Sequence, residues 1–191
     1  MNFDAARLIQ EINDGRRRAE ELTSGLTAEQ LTRRPLPDKW SIAECLSHLN
    51  MTAATVQAFM CKAIERGRQE KRFGDGPFYI GPKGRLLVWI AEPPHKFRLP
   101  APWKIRPPAQ IADPHMVLTD FLKAQDEWER QINAAEGLDL ARIKIGPPTS
   151  PFRARLAAAF PWMMAHQRRH LLQAENVKRQ LQSTAGRAVH A

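Results

Sequence analysis

Apolar residues recur at Phe3, Ala6, Ile9, Ile12, Ala19 and Leu22, a spacing near three and four positions that predicts an amphipathic helix. Gly25 lies just past its end as a stop signal, and Gly15 is its weak point, because an interior glycine costs roughly 1 kcal/mol of helix stability. The polar run Thr27-Ala28-Glu29-Gln30 then fits a capping box, before Pro35 and Pro37 end that short turn. A second box, Ser41-Ile42-Ala43-Glu44, opens a stretch free of proline and glycine until Gly67. It predicts a second helix from about Ile42 to Arg66.

Between residues 67 and 112 the periodicity fails. Pro77, Pro82, Pro93, Pro94, Pro100, Pro102, Pro107 and Pro108 interrupt all but a short apolar run from Leu86 to Ala91, so an insertion with little regular structure is expected. Loops of this length usually serve as a lid, a binding loop or a dimer arm. Asp113-Pro114 supplies a helix start, and Val117, Phe121, Trp128 and Ile132 carry a third helical pattern to Gly137. A fourth runs from Phe152 to Leu181, kinked or restarted near Pro161. Four long helices point to an all-α, antiparallel four-helix bundle with a proline-rich basic insertion between helices two and three. The expected organisation is one domain over 1–185 and a short tail over 186–191.

Composition narrows the setting. At 191 residues, 43% hydrophobic and 26% charged, the chain can bury a core and does not read as disordered. Two cysteines, Cys45 and Cys61, exclude a disulfide scaffold and a four-cysteine zinc module, and with the absence of a signal-peptide pattern they suggest a reduced, cytoplasmic protein. No apolar run approaches the roughly 20 residues of a membrane span. The net charge is +9, and +7 of it falls between Lys62 and Arg106, where eleven lysines and arginines face four acids. No nucleic-acid motif accompanies that charge, so a solvated loop or a rim attracting a small anionic substrate is favoured over nucleic acid.

The candidate chemistry lies outside the basic region. In His166-Gln167-Arg168-Arg169-His170 the two histidines are about 40° apart around a helix, on a face shared with Gln173 and Val177. Two neutral imidazoles one turn apart can hold a divalent metal, although a hydrogen-bonded core pair shows the same spacing. His48, set into a half-apolar stripe of helix two with Cys45, Thr52 and Thr55, is a third candidate ligand if helices two and four are neighbours. Three imidazoles leave coordination positions open for water or substrate, as in catalytic sites. Gln173 is a candidate hydrogen-bond partner behind the ligands. Glu44 could orient an imidazole or act as a base, though its capping-box role already explains it. His95 and His115 read as surface residues. Cys45 and Cys61 are about 160° apart on their helix, too far for a joint redox role, and Trp89, Phe97 and Trp103 could line a substrate mouth if the insertion folds over the bundle.

The helix start Trp40-Ser41-Ile42-Ala43-Glu44 leading to His48, together with His166-Gln167-Arg168-Arg169-His170-Leu171-Leu172-Gln173-Ala174-Glu175, resembles the DinB-like, YfiT-type superfamily. The resemblance implies an up-down-down-up four-helix bundle, often a homodimer, with nickel or zinc held by His48, His166 and His170. It further implies a metal-dependent thiol S-transferase or hydrolase acting on a small-molecule substrate, with a low-molecular-weight thiol such as bacillithiol, mycothiol or glutathione as a possible co-substrate. The alternative is a non-catalytic bundle that uses the metal or the basic insertion for partner binding or dimerisation.

Overall fold

The computed structural model describes residues 1–94, 105–108, 110–146 and 153–189, with side chains as far as residue 183. Its elements are α1 (Ala5–Thr23), α2 (Ala28–Thr32), α3 (Ile42–Gln69), α4 (Gly81–Ala91), α5 (Met116–Ala134), β1 (Lys144–Ile145), β2 (Ala154–Arg155) and α6 (Leu156–Val189). Side-chain caps start most of the helices before β1. The Asp4 carboxylate accepts from the backbone N–H of Arg7, and reciprocal capping boxes join Thr27 to Gln30 and Ser41 to Glu44. Asp113 accepts from the backbone N–H groups of His115 and Met116 at the head of α5. Each of these caps satisfies donors that a helix start leaves unpaired.

The long helices form a ring in which α1 and α3 each pack against both α5 and α6. Their directions can be read from hydrogen bonds. Asn50, Gln57 and Arg68 of α3 donate to the carbonyls of Val117, Ala124 and Ala134 on α5. The two sets of numbers rise together, so α3 and α5 run parallel. Arg18 pairs with Glu175 and Lys178 donates to the carbonyls of Glu21 and Leu22, which makes α1 and α6 parallel as well. Early α3 residues Ile42 and Leu46 cluster with late α6 residues Leu171 and Val177, whereas Met60 and Ala63 cluster with Leu156 and Phe160. The α3 and α6 directions are therefore opposed, and the bundle is up-down-down-up.

That topology explains the long connection between α3 and α5. Parallel neighbours need a crossover that returns along the bundle, and the 28 residues of α3 span about 42 Å. The expectation of little regular structure over 67–112 fails for part of this return path, because residues 81–91 form α4, packed on α6. Pro82 sits in the first turn of α4, where proline is tolerated. Gly84 permits close approach, since a Cβ there would lie 2.6 Å from the Cβ of Ala158. His95, Phe97 and Trp103 fall outside the described residues, as does Phe152 at the expected start of the last helix.

Two other expectations change. Gly15 is less a weak point than a contact, because a Cβ there would lie 2.1 Å from Nε2 of Gln167 on α6. The last helix neither stops nor restarts at Pro161, which α6 contains in its interior. The proline lacks one N–H donor, and the packing of Phe160, Met163 and Met164 in the core offsets that loss. Fully buried Trp128 and Phe160 anchor one core cluster, and each large side chain so buried contributes about 1.5–3 kcal/mol. A second cluster, built from Leu31, Ile42, Leu46, Phe121 and Leu171, fixes the α3–α6 contact at the histidine end.

Candidate metal centre

His48 lies in the second turn of α3, started by the Ser41–Glu44 box, and His166 and His170 lie one turn apart on α6. The opposed packing of these helices brings the three rings together. Ring centroids are 5.2 Å apart for His48 and His166, 4.5 Å for His48 and His170, and 4.6 Å for His166 and His170. One ring nitrogen from each lies within 4.8 Å of those of the other two. His48 and His170 are buried, and His166 is partly so.

Neighbouring groups set which nitrogens face inward. Nδ1 of His48 is 2.7 Å from the carbonyl oxygen of Ile105, and Nδ1 of His170 is 3.0 Å from Oε1 of Gln173. Each of these oxygens can only accept, so both Nδ1 atoms carry the proton and both Nε2 atoms keep a lone pair. Such backing bonds are the usual means of orienting a metal-binding imidazole. Nε2 of His48 is 3.3 Å from Nε2 of His166, which matches the edge of about 3.3 Å for two ligands in a tetrahedron with metal–nitrogen bonds near 2.0–2.1 Å. Nδ1 of His166 is buried with no hydrogen-bond partner among the described residues. The donor set and spacing thus fit a first-row divalent ion.

The electrostatics keep the rings neutral, the form a metal requires. Burial pulls the His166 pKa down to about 3, with His48 and Arg169 adding to the effect. Burial also takes His170 down to about 2, aided by its two neighbours and opposed by the bond to Gln173. His48 is lowered by burial, partly countered by the Ile105 carbonyl.

Glu44 is held differently. One carboxylate oxygen accepts from the Ser41 backbone N–H at 2.8 Å, and both accept from the Arg34 guanidinium. Burial pushes its pKa up, but the bonds from Arg34 and Ser41 prevail and the net shift is downward. Neither thiol is activated. Burial pushes Cys45 well above the usual thiol range, and Cys61 is raised by its bond to Glu65. His115 is exposed at the head of α5 and Trp89 is half-exposed on α4.

Two neighbours of the site carry no ligand-like signal in the sequence. The Trp40 ring lies 4.9 Å from His48 and 5.8 Å from His170 by centroid, an apolar wall placed by the residue just before the Ser41 cap. The Ile105 carbonyl comes from the connection between α4 and α5. An aromatic residue preceding a capping box was a usable clue to Trp40, whereas a backbone carbonyl has no residue type to betray it.

An up-down-down-up helical bundle with three histidines meeting between its second and last long helices defines the class of protein. The family model described as the DinB superfamily matches residues 11–174, and the chain belongs to that superfamily. Among solved structures it is similar to YfiT from Bacillus subtilis, with a TM-score of 0.61 and 12% sequence identity, over 93% of this chain and 87% of that one. YfiT is described as a probable metal-dependent hydrolase with an unusual four-helix bundle topology. No curated protein matches the chain.

Proposed function

We propose that this chain is a metal-dependent enzyme acting on a small molecule, with His48, His166 and His170 as the ligands of zinc or nickel. The observation that carries this reading is the convergence of three neutral imidazoles, two of them oriented from behind by Ile105 and Gln173. A divalent ion with three such ligands retains its full charge and, when bound, supplies Lewis acidity and activates a nucleophile at an open position. Gln173 is a positioning residue, holding Nδ1 of His170 so that Nε2 points inward. Glu44 acts at one remove, by fixing the first turn of the helix that carries His48. Trp40 supplies an apolar wall that limits water beside two of the rings.

Hydrolysis is the first reaction class, in keeping with the description of YfiT. Transfer of a small thiol is the second, and there the thiol must come from a co-substrate, because burial and hydrogen bonding leave Cys45 and Cys61 unsuited to attack. A homodimer in the cytoplasm completes the proposal. The test is a screen of ester, amide and halide substrates with zinc- or nickel-loaded protein, with and without glutathione. Turnover that needs the metal and disappears in His48→Ala is expected. A flat screen on protein that holds its metal would favour the non-catalytic alternative.

A further inference from the structure

A second concentration of chemistry lies at the opposite end of α3. A cleft of about 570 Å³ opens between the end of that helix and the β1–β2 hairpin, lined by Arg66, Arg72, Arg142, Lys144, Arg153 and Arg155 with one acid, Glu70. Arg66 is eighteen residues beyond His48, about 27 Å along the helix axis, so the cleft is separate from the histidine cluster.

Three observations show that the positive charge is uncompensated within the fold. Glu70 is already engaged by Arg72, and Arg142, Lys144, Arg153 and Arg155 have no acidic partner within ion-pair distance among the described residues. Lys144 and Arg155 are directly opposite each other in the antiparallel ladder, an arrangement that places like charges side by side on one face and destabilises the pair. Nε of Arg153 is buried with no hydrogen-bond partner among the described residues, and a buried donor left unpaired costs about 1–3 kcal/mol. An anion in the cleft would offset the unpaired cations and the Lys144–Arg155 repulsion, and Arg153 lines the same cleft. Arg66 is already fixed in place, donating to the Lys144 carbonyl at 2.9 Å.

We propose that this cleft is a second ligand site, for a small molecule carrying two or more phosphate groups. Several guanidinium groups around a bounded concavity suit phosphate, which they bind with paired hydrogen bonds. The volume falls within the range of about 300–1,000 Å³ usual for small-molecule sites. The described lining residues include no aromatic ring on which a base could stack, which separates the cleft from a single-stranded nucleic-acid groove.

The test is calorimetric titration of the full chain with inorganic tripolyphosphate at low salt. Saturable binding tighter than about 100 µM is expected, weakened about tenfold or more in Arg153→Gln/Arg155→Gln and unchanged in Arg33→Gln/Lys123→Gln, which removes two cations elsewhere on the surface. Lys144→Glu should raise the thermal midpoint without ligand and abolish the further rise that tripolyphosphate gives to the wild type, a readout that survives if the double variant folds poorly. The proposal is overturned by no saturable heat up to about 1 mM, by equal loss in the control variant, or by a DNA duplex binding more tightly than tripolyphosphate. Tripolyphosphate also chelates divalent ions, so the titration is repeated in His166→Ala, where binding at the cleft should be unchanged, and the histidine site stands or falls separately.

Discussion

Nδ1 of His170 meets an oxygen that can only accept, and that single contact decides which face of the ring is presented to its neighbours. Gln173→Leu should therefore weaken metal affinity about 10- to 100-fold while leaving helical content unchanged, as read by competition with a chelating dye and by circular dichroism. Glu44 makes a contrasting prediction. Its carboxyl is held below its usual range in the folded state, so the stability it contributes is present above pH 4.5 and is lost as the pH falls through the lower folded value. Glu44→Gln keeps the cap, as Gln30 does in the first box, but loses the charge opposite Arg34. Because Arg34 is partly exposed, the variant should lose only about 1 kcal/mol at pH 7 and show a flatter acid limb in thermal unfolding.

At the scale of elements, α4 approaches α6 closely through Gly84. Gly84→Ala should gain about 1 kcal/mol in helix propensity yet lose more to the clash with Ala158, for a net destabilisation of about 1–2 kcal/mol in denaturant unfolding. Ala158→Gly should restore part of that loss in the double variant. In this helix the proline pattern misleads. Pro82 and Pro93 look like breakers, but one sits in the first turn and the other lies beyond the last, with no proline between Lys83 and Ala91. The capping boxes at Thr27 and Ser41 were legible because their hydrogen bonds are local. So was the shared face of His166 and His170, which follows from helical spacing. The meeting of His48 with that pair was only conditional in the pattern, since it depends on which helices are neighbours and in which direction they run. Periodicity records which face of a helix is buried and not what it is buried against.

For the whole molecule, the parallel pairing of α3 with α5 is what requires the long return path. Proline spacing in 67–112 suggested a loop, whereas the topology makes that segment a crossover whose far end, at Ile105, touches His48. Arg168 helps tie this path to the bundle, bridging Glu11 of α1 and Glu92 just past α4. Arg168→Met should destabilise the fold by about 1–3 kcal/mol and speed hydrogen exchange first in the α4 amides. The charge that dominates the composition also acquires a location, since Arg66 and Arg72 join the hairpin cations at the end of the bundle remote from the histidines. The central claim concerns those histidines, and metal analysis of the purified full chain after equilibration with zinc or nickel tests it most directly. About one tightly held ion per chain is predicted, lost in His166→Ala, with a chelator lowering the thermal midpoint of the wild type but not of the variant. A folded wild-type protein that holds no ion, or a variant that retains it fully, would contradict the account.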